Sequence, residues 1–147
     1  MKQIDDLYSK GDVQSGDTKY FTDKELSIPF TGIVSDASNG HTNSIFELKE
    51  GLKDGIEKVF HEDSDLLEQV SEYKKNLQFG VSKEYDEQGE LVHVSVVWNN
   101  KYLKTLTLSE QNVIERDEDY DLSQENYPER IVQLLKLTDH ELIDYSF

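Results

Sequence analysis

Residues 91–98 alternate with period two. Val92, Val94, Val96 and Trp98 lie on one side, and Leu91, His93, Ser95 and Val97 on the other. Eight residues of largely β-branched and aromatic character in that rhythm predict a strand. A less regular alternation sets Ile56, Lys58 and Phe60 against Glu57 and Val59 and predicts another. Turn signals separate the strands. Asp86-Glu87-Gln88-Gly89-Glu90 contains a glycine able to take the positive φ of a hairpin turn, and Asn99-Asn100 marks a second turn. His61-Glu62-Asp63-Ser64-Asp65 holds a turn position without glycine.

The strands recur. Segments 48–55, 73–80 and 98–105 align at a spacing of 25, with Leu48, Tyr73 and Trp98 in register, then Leu52, Leu77 and Tyr102. Gly55 and Gly80 coincide, and Thr105 takes the glycine position in the last copy. Gly32, followed by Ile33-Val34, starts a shorter earlier copy. One hairpin of this size is unstable alone, so consecutive copies are expected to pair into a continuous antiparallel meander. The repeated glycines are expected where strands bend or something approaches the backbone closely.

The ends follow other patterns. Residues 5–10 suit a short helical turn, and Tyr20-Phe21 suits a first strand of the sheet. At the C-terminus, Pro128 suits the first turn of a helix. Ile131, Val132, Leu134, Leu135 and Leu137 form an apolar stripe behind it. Thr138 followed by Glu141 reads as a capping box opening a last short helix. Residues 109–116 are expected to form another short helix. The expected fold is mainly β with short α: a repetitive antiparallel meander of about 25-residue hairpin repeats, closed by short C-terminal helices. The chain reads as one domain over 1–147, with a polar segment at 1–19, repeats at 20–108 and an acidic helical cap at 109–147.

Composition narrows the function classes. The chain of 147 residues has 15 basic and 31 acidic side chains, a net charge of −16. Residues 106–147 hold 3 basic against 11 acidic side chains, half of that net charge. Such a surface repels phosphate backbones and anionic membranes, so neither nucleic acid nor membrane is an expected partner. It favours a basic protein. With no cysteine, thiolate nucleophiles and thiolate-bound metals are excluded. Eight Tyr and six Phe argue for an ordered chain. The lack of a long apolar run or leader-like N-terminus leads to a cytoplasmic expectation. Asp117, Asp119 and Asp121 have the spacing that starts a calcium loop, but Leu122 and Pro128 stand where glycine and glutamate are needed. His41, His61, His93 and His140 show no ligand-like pairing, and neither a phosphate loop nor a nucleophile elbow is present. No catalytic residue, cofactor or metal is assigned.

Several segments carry a resemblance. Pro29-Phe30-Thr31-Gly32 opens the repeats. Asn39-Gly40 and Gln88-Gly89-Glu90-Leu91 stand at turns, Tyr73-Lys74-Lys75-Asn76 and Trp98-Asn99-Asn100-Lys101 at second turns, and Gly55 and Gly80 open copies. Over residues 20–108 the chain resembles the variant MORN repeat of bacterial YwqK-like antitoxins. The resemblance implies an extended antiparallel sheet, no catalytic residues and a protein-binding role, with inhibition of a cognate toxin suggested by the family's gene neighbourhoods. The expected function is therefore an immunity or antitoxin-type protein that blocks a toxin domain, such as a basic nuclease. The alternative is a repeat scaffold that binds proteins without inhibiting them. Candidate contacts are the acidic run Asp117, Glu118, Asp119, Tyr120 and Asp121, and the sheet aromatics Tyr73, Tyr85, Trp98 and Tyr102 as anchors.

Overall fold

A computed structural model describes residues 1–12 and 16–147. A β-strand β1 (Lys2–Gln3) leads through a 3₁₀ turn (Ile4–Asp6) to β2 (Tyr8–Lys10) and β3 (Lys19–Phe21). A meander follows: β4 (Gly32–Ser38), β5 (His41–Lys49), β6 (Leu52–Phe60), β7 (Leu67–Lys74), β8 (Leu77–Tyr85), β9 (Leu91–Trp98), β10 (Lys101–Ser109) and β11 (Asn112–Glu118). Helices α1 (Glu129–Leu135) and α2 (Asp139–Ile143) end the chain. Among the described residues the meander forms one sheet in chain order, with β1 parallel to β4 at one edge and β11 at the other. The expected β architecture with short C-terminal helices is what the chain adopts.

Two-residue turns set the register. Asn39-Gly40, Glu50-Gly51, Lys75-Asn76, Asn99-Asn100 and Glu110-Gln111 each place both residues at positive φ. That conformation matches the twist of the flanking strands. Successive turns at one end of the sheet are hooked together. Asn76 Oδ1 accepts from the Lys53 backbone N at 2.8 Å, and the Asn76 backbone N–H donates back to the Lys53 carbonyl at 2.9 Å. Asn100 holds Gln78 in the same way, at 2.8 and 3.3 Å.

The repeated glycines share one device. Gly55 and Gly80 sit inside strands at φ of 118° and 128°. The carboxylate of Glu47 lies over Gly55 and that of Glu72 over Gly80, where a Cβ would collide with it. Each carboxylate accepts the next backbone amide, Ile56 N and Val81 N, at 2.6 Å. Glycine is required because the carboxylate occupies the side-chain position.

The third copy departs from the expected alignment. Tyr73 pairs with Gln78 across one turn, whereas Val97 pairs with Tyr102 across the equivalent turn. Val97, not Trp98, is thus the counterpart of Tyr73. A one-residue slip moves a side chain to the opposite face, which is how Trp98 enters the core. The hydroxyl pair Ser71–Ser82 corresponds to Ser95–Thr105, so Thr105 matches Ser82 rather than a glycine. Val96 then stands in the place of Glu72, and no counterpart of the glycine remains. Carboxylate and glycine are lost together.

Two apolar clusters lie on opposite faces. On one face, Val81, Val94, Val96, Leu106 and Leu108 pack under Ile131, Leu134 and Leu135 of α1 and Leu142 of α2. On the other, Val34, Phe46 and Leu48 pack under Ile4, Leu7, Tyr20 and Phe30 of the N-terminal segment. Three local expectations are corrected. Residues 109–116 are not a helix: Glu110-Gln111 form a turn and β11 extends the sheet to Glu118. This edge strand is largely exposed on both sides, so its sequence lacks the strand alternation, and pairing with β10 decides its conformation. Tyr20-Phe21 lies in the separate β2–β3 ribbon rather than the main sheet. Within 5–10, a 3₁₀ turn gives way to a strand at Tyr8. The Thr138–Glu141 capping box forms as expected, both bonds at 3.1 Å. Pro128 stands at the N-cap of α1. No helix among the described residues is long and apolar enough to cross a membrane.

Candidate functional site

Opposite the helices, the C-terminal half of the sheet carries small hydroxyl side chains between taller ones. Across β6 to β11 the register aligns Glu57, Ser71, Ser82, Ser95, Thr105 and Asp117 in one row. Ser71 bonds Ser82 at 2.8 Å, Ser95 bonds Thr105 at 2.9 Å, and Gln69 Nε2 donates to Ser82 at 3.2 Å. The row's hydroxyls are therefore satisfied by one another and by Gln69, and Ser71, Ser82 and Ser95 are buried. The row is the buried floor of a trough between longer side chains, Gln69, Glu84 and His93 on one side and Tyr73, Gln78 and Tyr102 with buried Val97 on the other. His93 Nδ1 lies 3.3 Å from Glu84 Oε2, an ion pair whenever the imidazole is protonated.

Tyr73 closes the trough toward the N-terminal half. Burial, then the nearby Glu57 carboxylate, pushes its hydroxyl up to about 12. Lys53 Nζ lies 5.0 Å from the Phe46 ring and 5.1 Å from the Tyr73 ring and is bonded to Glu57. A cavity of about 210 Å³ beside it is lined by Thr18, Tyr20, Lys53, Tyr73, Asn76 and Asn100. Lys53 is neutralised within it, so the cavity supplies no free cation.

At its other end the trough runs onto β11. Asp117 continues the hydroxyl row and Glu115 the neighbouring one, both exposed. Arg116, the one cation of this strand, is committed to Asp139 through Nη1 at 2.8 Å and also contacts Glu118. The edge is left strongly anionic. Asp119 is 3.8 Å from Lys101. Asp121 accepts from the Ser123 backbone at 2.9 Å and the Ser123 hydroxyl at 2.6 Å, and these bonds hold its carboxyl below the usual range.

The proposed contacts thus divide. Tyr73, Tyr102 and Asp117 share the open face, and Tyr102 is 41% exposed. Glu118 pairs with Lys104 on the helix side of the strand. Tyr120 packs against the helix-side core, and burial raises its hydroxyl. Trp98 is not an exposed anchor, since its ring meets Tyr127 edge-on at 5.2 Å under α1. Tyr85 alternates onto the helix side as well and is half-buried.

The chain matches no protein-family model, no curated protein and no solved structure. Its surfaces are read from their own chemistry. Among the described residues, no group of three or more His, Asp or Glu side chains is placed to hold a metal ion. Sequence reasoning missed the hydroxyl row and the two glutamates. Both leave a trace in the sequence: Glu47 and Glu72 each precede the repeated glycine by the same eight residues, and Ser71 recurs as Ser95.

Proposed function

We propose that this chain is a protein-binding module of the immunity or antitoxin type, which neutralises a cognate bacterial toxin domain by occupying a basic surface on it. The observation that carries this reading is the continuity of the open face with the acidic edge. Tyr102 supplies rigid amphipathic contact area one strand from β11, where Asp117, Glu115 and Asp119 supply charge, and half-buried Tyr73 bounds the same face four strands away on β7. Interfaces favour aromatic contacts at the centre and polar groups at the rim. An excess of acid at the rim accelerates association with a cationic partner. A nuclease has a basic substrate cleft, so a nuclease domain fits this chemistry. The resemblance of residues 20–108 to antitoxin repeats points the same way.

The test is capture from the native cell with the tagged full chain as bait, followed by expression of any stoichiometric partner with and without this protein. A partner that is toxic alone and harmless when co-expressed supports the reading. A partner that is harmless alone, or the absence of a stoichiometric partner, replaces it with a non-inhibitory scaffold.

A further inference from the structure

Hairpins β5–β6 and β7–β8 are the same structure 25 residues apart. Ile45 pairs with Lys58 as Val70 pairs with Lys83, and Leu48 with Lys53 as Tyr73 with Gln78. On the helix side, Glu47, Ile56 and Lys58 of the first hairpin correspond to Glu72, Val81 and Lys83 of the second. In the second hairpin these residues hold the C-terminal cover. Glu72 Oε1 accepts from Arg130 Nη2 at 2.5 Å and from the Tyr145 hydroxyl at 3.0 Å. Lys83 Nζ donates to the carbonyls of Ile143 at 2.7 Å and Tyr145 at 2.8 Å. Val81 is buried beneath the helices.

Among the described residues, the first hairpin presents the same groups with no helix bonded to them. Glu47 Oε2 is used by Ile56 N, but Oε1 has no partner among the described residues. Lys58 is exposed and likewise unpartnered among them. Ile45 and Ile56 are half-covered, and Ile33, which pairs with Glu47, is 49% exposed. Between the two sites lies a depression of about 290 Å³ bounded by Gly55, Ile56, Glu72, Phe79 and Arg130. One repeat is two strand spacings, about 9.6 Å. Packed helices lie roughly 8–10 Å apart. A helix seated on the first hairpin would lie beside α1 at packing distance and fill that depression.

We propose that the helix-side face of β5–β7 is a second docking site, which takes a helical segment of a partner protein carrying an arginine on its apolar side. The arginine would bind Glu47 as Arg130 binds Glu72, apolar residues would cover Ile45 and Ile56, and Lys58 would take the segment's C-terminal carbonyls. The site is on the opposite face from the trough and does not depend on the partner being a toxin.

The probe is a synthetic peptide of residues 128–147 carrying Asp139→Asn, which removes its ion pair with Arg116 and biases it away from the covered hairpin. It is titrated at 150 mM salt into the isotopically labelled full chain, and backbone amide shifts are followed. The expected result is saturating shifts at Ile45, Ile56 and Lys58, with half-saturation below about 1 mM. Arg130→Ala in the peptide, or Lys58→Glu in the chain, should weaken binding at least about fivefold. Glu47→Gln should do the same while its amide oxygen still serves Ile56 N. Unchanged amide shifts across β8–β10 establish that both chain variants are folded. Shifts confined to β8–β10, or no saturation by about 2 mM, would overturn the proposal.

Discussion

Glu72 does three things with one carboxylate. It accepts Val81 N, fills the space where a side chain at Gly80 would stand, and ties Arg130 and Tyr145 to the sheet. Gly80→Ala strains a positive φ and displaces that carboxylate at once. It should cost at least about 2 kcal/mol, read as a lower urea midpoint with an unchanged slope. Tyr73 offers a second check. Its raised hydroxyl means the folded state holds the proton more tightly than the unfolded chain. That contribution is complete below pH 10 and is lost as pH rises through about 12. Tyr73→Phe should therefore lose less stability than the parent between pH 9 and pH 11 in chemical denaturation. Equal losses would show that the hydroxyl is not shielded. The Glu–Gly pair was only half legible in the sequence. The glycine recurrence was visible, but a carboxylate acting eight residues away needs the strand register before it can be assigned.

Among elements, the hairpin turns decide most of the architecture. Asn76 sits at φ of 71° and its side chain bonds Lys53 N and the Thr18 carbonyl. Two effects are therefore combined at one residue, and two substitutions separate them. Asn76→Gly keeps the backbone conformation and loses only the bonds, about 1–2 kcal/mol. Asn76→Ala adds backbone strain and should cost about 1 kcal/mol more. Thermal or urea melts of the two variants check the order. Strand β9 and the turns on either side of it were legible because alternation and turn chemistry agree, and β6 was legible less cleanly. Strand β11 was not, because an exposed edge strand has no apolar face to write a period into its sequence. A helix was the reading its local composition allowed, and pairing with β10 overrode it.

At the scale of the molecule, two layers cover one sheet on opposite faces and opposite halves. The N-terminal segment covers β4 and β5, and the helices cover β8 to β10. Each layer leaves the other half of its own face open, and the two candidate surfaces are those remainders. The net charge of −16 is uneven, half of it falling in residues 106–147, and the acids of β11 are exposed. If that edge steers a basic partner, Asp117→Lys, Asp119→Lys and Asp121→Lys together should slow association at low salt by at least about tenfold. The dissociation rate should change much less. Stopped-flow measurement with the captured partner checks this, and an association rate unchanged at low salt would sink the steering argument.

The sequence by itself determined the repeat, the β class, the hairpin turns at 39–40, 75–76, 86–90 and 99–100, and the capped last helix. These rest on local rules: side-chain alternation, the φ preferences of Asn and Gly, and a hydrogen-bonding pair three residues apart. Tertiary structure alone decided which face each strand residue occupies after the third copy slips by one. It also decided that Trp98 is core while Tyr102 is exposed and Tyr73 half-buried, and that Ser71, Ser82, Ser95 and Thr105 stand in one row. The physical reason is that facing in a sheet depends on pairing register. Register is a relation between distant segments, and a single residue lost in one turn or bulge inverts it.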